Sequence, residues 1–224
     1  MNARDTGTET REKLLTAARG LMLTKGFVAT GVDDVCKAAG VTKGAFFHYF
    51  PNKESLGLAV AEAQAKGIGG AFANAPFTRE IDPLKRLHGY LDTALAVNAD
   101  PSRPIGCLLG IFTQELAETH PEVRTFCAAT FEHLRVGLEG ILAAAFAAEA
   151  PKAKVDVASL ADTFTALLQG SLILARARQD RQIVARQIEH FRAYVNALMG
   201  KAPKAPARSK ARPRANSPST RRAR

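Results

Sequence analysis

With 224 residues, 46% apolar and 23% charged, the chain can bury a sizeable core, and its composition excludes an intrinsically disordered protein. Its formal charge of +10 suggests a polyanionic partner, but nine of the 31 lysines and arginines fall in 201–224, where there is no acid. The first 200 residues hold 22 basic and 21 acidic side chains, so the folded part is nearly neutral. No apolar run approaches the roughly 20 residues of a membrane span, and "MNARDTGTETREK" lacks the apolar core of a signal peptide. A cytoplasmic protein is expected. Cys36, Cys107 and Cys127, an odd set without a C-x-x-C pair, argue against a disulfide framework or a structural zinc site.

Period-two alternation is almost absent, and Ala, Leu, Glu, Arg and Gln dominate, so the fold class is all-α. Leu14, Ala18 and Leu21 predict an amphipathic helix over about Thr10 to Lys25, ended by Gly26 as a left-handed cap. Two short helices follow, divided by Gly40, and Asn52 is placed to cap a fourth running toward Pro76. Longer helices are expected at about Pro83–Asn98, Ile105–Thr119, Pro121–Ala148, Val155–Arg178 and Asp180–Met199, with Pro83 and Pro121 in first turns. "NADPSRP" and "EAPKAKVD" are predicted loops. The segment after Gly200, with four prolines and no aliphatic residue larger than alanine, is expected to be disordered. The expected division is a DNA-binding unit at 8–68, a helical bundle at 77–200 and a basic tail at 201–224.

The stretch "TGVDDVCKAAGVTKGAFFHYFPNKESL" carries the chemistry. Thr30 is placed to cap the first short helix through the N–H of residue 33, and Val41 to plug the turn after Gly40. Thr42 caps the next helix. Helix, tight turn and second helix is the arrangement of a DNA-binding helix-turn-helix. Gly44 and Ala45 keep the tip of that helix small enough for a major groove, and the N–H groups of Thr42 and Lys43 suit a phosphate. Lys43 adds charge for a phosphate or a guanine edge. Of the rings Phe46, Phe47, His48, Tyr49 and Phe50, some must pack inward while others meet the DNA backbone. The predicted DNA-contacting set is Thr30, Thr42, Lys43, Gly44, Ala45, Phe47, His48, Tyr49 and Lys53.

The segment "TREKLLTAARGLMLTKGFVATGVDDVCKAAGVTKGAFFHYFPNKESL" resembles the DNA-binding domain of the tetracycline-repressor (TetR/AcrR) family of bacterial transcription regulators. Gly26-Phe27, Thr30, Ala39-Gly40-Val41, Gly44, "FHYF" and Pro51-Asn52-Lys53 stand in the family's order and spacing. Cys36, where a small apolar residue is usual, and Gly57, which interrupts the fourth helix, depart from it. The resemblance implies an N-terminal three-helix helix-turn-helix domain followed by a helical bundle that binds a small-molecule effector and dimerises. It implies a cytoplasmic homodimer, most often a repressor, released from a palindromic operator. "FTALLQGSLILARARQD" and "RQIVARQIEHFRAYVNALM" resemble the helices that pair across such dimers, with Gly170 and Ser171 allowing close approach.

"PIGCLLGIFTQELAETHPEVR" resembles a segment of one branch of that family, in which a cysteine near this place senses electrophiles or oxidants. A thiol at a helix N-terminus feels the positive end of the helix dipole, which favours the thiolate. Cys107 is therefore a candidate switch, or else a small buried hydrophobe among Leu108, Leu109, Ile111 and Phe112. Cys36 and Cys127 are expected in the core. Pocket candidates are Phe72, Phe112, Phe126, Phe131 and Phe164 with Gln114, His88, His133 and Gln169. No nucleophile elbow, phosphate loop or metal-spaced ligand set occurs, so no enzyme, cofactor or metal is expected. Two other readings stand beside a regulator: a non-specific basic chromosomal protein acting through its tail, and a helical binding module or enzyme that has kept the fold.

Overall fold

The computed structural model of the chain describes residues 3–101 and 103–201; the basic tail beyond Lys201 lies outside the described residues. Among them are nine α-helices and no strand: α1 (Ala3–Lys25), α2 (Val32–Ala39), α3 (Lys43–Tyr49), α4 (Lys53–Ala73), α5 (Pro83–Ala99), α6 (Leu108–Leu116), α7 (Pro121–Glu149), α8 (Val157–Arg178) and α9 (Gln182–Leu198). A single 3-10 turn, Pro76–Arg79, joins α4 to α5.

Side-chain caps set four of these nine starts. The Thr42 hydroxyl accepts from the Ala45 N–H at 3.2 Å, and the Asn52 carboxamide accepts from the Ser55 N–H at 2.7 Å. Asp82 accepts from Leu84 and Lys85, with Pro83 in the first turn, and Asp156 accepts from Ser159. Gly26 (φ 88°) and Gly40 (φ 66°) end α1 and α2 in the left-handed conformation that glycine adopts without strain. The cap of α2 differs from expectation. Its N-cap is Gly31, whose N–H donates to Asp34 at 3.1 Å, while the Thr30 hydroxyl turns inward. Helix α6 starts three residues later than the pattern suggested: the chain bends at Ile105 and Gly106, the latter at φ 154°, and is extended at Cys107.

The apolar side chains form two cores. The first joins α1 to the front of α4 and also takes in α6 and the start of α7, through Leu108, Leu109, Phe112, Leu116, Val123 and Cys127. The second joins α5, the rest of α7, α8 and α9. Burying a leucine or phenylalanine side chain contributes about 1.5–3 kcal/mol. Four such residues on α6 tie that helix of the bundle into the core of the N-terminal unit. The expected boundary at residue 68 also falls inside the unbroken α4.

The helix expected at Val155–Arg178 is present as α8, but the sequence reading overlooked how apolar it is. Helix α8 is long and apolar enough to cross a membrane by length and composition, with a hydropathy of 1.4 over its most apolar 18 residues. Its alanines, glycine, serine and threonines hide this from a search for unbroken large hydrophobes. It packs between α7 and α9, yet only 28% of that window is buried within one chain, and Ile173 and Leu174 stay exposed.

Gly57 has a packing reason rather than being an interruption. A Cβ there would lie 2.7 Å from the Phe27 ring, which itself meets Phe112 of α6 edge-on at 5.5 Å. On an exposed helix, Gly→Ala gains about 1 kcal/mol, whereas overfilling a packed core costs about 1–3 kcal/mol. Gly57→Ala is therefore expected to lower the stability of the chain, seen as a lower midpoint in denaturant. A raised midpoint would mean that Phe27 yields freely.

Candidate nucleic-acid interface and ligand cavity

At the tip of α3, Thr42, Lys43 and Gly44 are exposed and Ala45 is half-buried, so no large apolar group blocks an approaching surface. Phe46 and Phe50 turn into the first core, whereas Phe47 is 54% exposed and His48 is exposed beside it. Phe47 stands edge-on to Phe46 at 5.1 Å, and His48 edge-on to Tyr49 at 4.8 Å. Tyr49 is half-buried, with its hydroxyl where a side chain on Gly7 of α1 would meet it at 3.3 Å. The Lys43 ammonium is not simply solvated. It pairs with the exposed Asp33 carboxylate of α2 at 2.7 Å, and that hydrogen bond and charge hold it above the ordinary lysine range. An exposed pair of this kind contributes little and yields readily to a competing phosphate.

Two predicted contacts are placed otherwise. Thr30 is fully buried and its hydroxyl donates to the Gly26 carbonyl at 2.6 Å, so it closes the α1–α2 turn instead of facing outward. The Lys53 ammonium donates to the carbonyls of Phe27 and Val28 at 3.2 and 3.4 Å and lies 4.4 Å over the Phe27 ring. It is committed to the same turn. Gly26–Thr30 is thus held from α4 as well as from α1. Asp34 adds a further tie: its hydrogen bond to Lys25, and then that from the Gly31 N–H, hold its carboxyl below the usual range.

The bundle reaches the same turn through residues that the sequence reading did not single out. Glu115, near the end of α6, accepts from the Val28 N–H at 2.9 Å, and a Cβ on Gly26 would collide with that carboxylate at 2.2 Å. Arg176 of α8 donates to the Thr24 carbonyl at the end of α1. These contacts span 87 and 152 positions of chain, so no local spacing announces them.

At the other end of α6, Cys107 is the N-cap residue and is half-buried, with no side-chain cap bond. It lines an apolar cavity of about 120 Å³ walled by α4, α5, α7 and α8, as well as an outer groove against Lys25 and Gly26. Of the expected pocket residues, the cavity gathers Phe72, Phe131, Phe164 and Gln169. Phe112 is buried in the first core, and Phe126 packs against it. Gln114 lines the outer groove, His88 meets Asn196 at 3.1 Å, and His133 is exposed. Tyr90, also on the cavity wall, has its phenol pushed up to about 12 by burial and stays neutral. Burial likewise raises the Cys36 and Cys127 thiols, which lie in the first core. Among the described residues no cluster of His, Cys, Asp and Glu is assembled to hold a metal ion.

Comparison with known proteins agrees with both parts. Residues 14–60 match the model for bacterial regulatory proteins of the tetR family, and residues 83–191 match the tetracyclin repressor-like C-terminal domain. The transcriptional regulator AcuR of Cereibacter sphaeroides is 29% identical over 165 residues, 74% of this chain and 75% of that protein. The transcriptional repressor NemR of Escherichia coli K12 is 28% identical over 117 residues, 52% of this chain and 59% of that protein. A TetR regulatory protein from Rhodobacter sphaeroides superposes with a TM-score of 0.70 at 26% identity, covering 84% of this chain and 97% of that one. With a helix-turn-helix at one end, a cavity-bearing bundle at the other and both family models matched in that order, the chain belongs to the TetR family of bacterial transcriptional regulators, which are not enzymes.

Proposed function

We propose that this regulator is a cytoplasmic homodimeric repressor, released from a palindromic operator when a small molecule enters the cavity. The observation that carries this reading is α6, which forms part of the cavity wall at Cys107 and, near its other end, bonds to the α1–α2 turn through Glu115. Anything that displaces the wall of the cavity moves that carboxylate and the turn that leads into α2. In a dimer the two α3 helices must reach half-sites about 34–36 Å apart, so a splay of a few ångströms weakens binding. The similarity to NemR, a repressor by its name, supports repression over activation.

The DNA-reading surface in this proposal is the tip of α3, with Thr42, Lys43, Gly44 and Ala45 entering the groove and Phe47, His48 and Tyr49 beside the phosphates. The units are 8–68 and 77–200, coupled through α6, with 201–224 adding sequence-independent attraction for DNA. Exposed apolar groups on α8 and α9, Ile173, Leu174 and Tyr194, support pairing of these helices across a dimer. Gly170, with open space beyond it, faces outward with them, whereas Ser171 is buried and donates to the Leu168 carbonyl.

Selection of bound fragments from a DNA library, by the full chain and by a chain ending at Gly200, tests the reading. Both are expected to enrich one palindromic sequence, the shortened chain with a shallower salt dependence. Loss of all enrichment on removal of the tail would instead mean a non-specific basic binder. On the selected operator, Lys43→Ala is expected to weaken binding and to reduce the salt slope by about one unit. Asp33→Asn, which frees Lys43, is expected to tighten it. Unchanged affinity in both would misplace the recognition surface.

Cys107, which lines both cavity and groove, is the proposed site for an electrophilic effector. A maleimide is expected to release the wild-type chain from the operator and to leave Cys107→Ser bound, measured by fluorescence anisotropy. Equal release of both proteins would end the thiol-switch idea.

A further inference from the structure

The cavity differs from a plain apolar hole in its charge. Its lining includes Arg103 and Arg181 and no aspartate or glutamate. Arg181 is already engaged, donating to the carbonyls of Asn98 and Arg103 at 3.0 and 2.5 Å. Arg103 is half-buried, and among the described residues its guanidinium has no hydrogen bond or ion pair. A guanidinium with no bonded partner gains from an incoming anion, above all from a carboxylate that can take two parallel N–H bonds.

A second group nearby is also without a partner. The side-chain oxygen of Gln64, on α4, is buried and accepts no hydrogen bond. Buried polar atoms are nearly always satisfied, so an orphan beside a cavity asks for a donor from a ligand or water. Gln64 and Arg103, with Ile68 and Val97, line both the cavity and an open groove between α1 and α4, to which α1 adds Glu12 and Arg19. The guanidinium therefore stands at the mouth, where an anion keeps part of its hydration while an apolar body passes inward. The space beyond, about 120 Å³ against Phe72, Phe131 and Phe164, is close to that of a protein cavity known to take benzene, about 150 Å³.

We infer that the cavity takes a small organic monocarboxylate, with a benzene-sized apolar body among the three phenylalanines and its carboxylate on Arg103. This rests on the effector-responsive reading and names the class of effector. A cationic ligand is disfavoured because the cavity itself is lined by two arginines and no carboxylate, Glu12 lining only the outer groove, as does Arg19. A neutral one leaves Arg103 as it was.

The test uses the full chain and three probes of one shape: benzoate, benzyl alcohol and benzylamine, titrated calorimetrically. Benzoate is expected to bind at least about ten-fold tighter than benzyl alcohol, with benzylamine weakest. Arg103→Gln should remove the advantage of benzoate and leave benzyl alcohol unchanged, while Arg103→Lys retains part of it. The thermal midpoint of each variant without ligand checks that it folds. Equal affinity of benzoate and benzyl alcohol, an advantage that survives Arg103→Gln, or no binding of benzoate at millimolar concentration would overturn the assignment. Operator release, followed in parallel, separates the two claims. Release by neutral probes but not by benzoate would sink the carboxylate class and keep the responsive regulator. Benzoate bound tightly through Arg103 without release would keep the class and sink the response.

Discussion

The burial of α6 in the N-terminal core is the constraint on which the rest depends. Four of its side chains, Leu108, Leu109, Phe112 and Leu116, are almost wholly withdrawn from water beside α1, α4 and Phe27. At about 1.5–3 kcal/mol each, they outweigh the roughly 1 kcal/mol of an ordinary hydrogen bond. The hydrophobic contact therefore fixes where α6 lies, and Glu115 fixes only how its end meets the α1–α2 turn. Because Gly57 lets Phe27 approach α4 and Phe112 meets Phe27 edge-on, α4, the turn and α6 share one packed contact. In so dense a contact one member cannot shift without its neighbours.

Electrostatics plays a smaller part in the folded unit than the overall charge suggests. The balance of residues 1–200 is near neutral, so in the proposed reading non-specific attraction would fall to the tail, and the tip of α3 presents one lysine already held by Asp33. Specific recognition by such a surface depends on the shape of the tip and the position of its N–H groups more than on its charge. On the proposed reading, placement of the turn, set by Thr30, Lys53, Glu115 and Arg176, would be the quantity through which binding is regulated.

Local rules made much of this fold legible. The caps at Thr42, Asn52, Gly26 and Gly40, the first-turn prolines and the amphipathic spacing each act within a few residues, and the helices fall close to where they predict. The misses are contacts between distant parts of the chain. Thr30 is a local exception: it was placed to cap α2 through the N–H of residue 33 and among the DNA contacts, but its hydroxyl turns back four residues to the buried Gly26 carbonyl. Lys53 was assigned to phosphate, but two carbonyls and the Phe27 ring hold it. Glu115, Arg176, Arg103 and Gln64 were not singled out, since their partners, or their lack of one, arise only when helices far apart in sequence meet. Among pocket candidates, aromatic character alone did not separate Phe112, filling a core, from Phe164, lining a cavity.

Helix α8 brings the separate functions onto one element. Its Phe164, Leu168, Gln169 and Leu172 wall the cavity, while Ile173 and Leu174 face outward and Arg176 bonds to the end of α1. The Gln169 carboxamide also leans on α6, where a Cβ on Gly110 would collide with its oxygen at 2.4 Å. A rigid helix carries a small displacement along its length. Filling the cavity would therefore press on α6 through Gly110, on the proposed partner through Ile173 and on α1 through Arg176 together. In a symmetric dimer the two α8 helices would lie against one another, so a shift in one protomer would alter the packing of the other. A cavity of only about 120 Å³ would then be sufficient, because the ligand would have only to displace helices packed against the DNA-binding unit and, in the proposed dimer, against the second subunit.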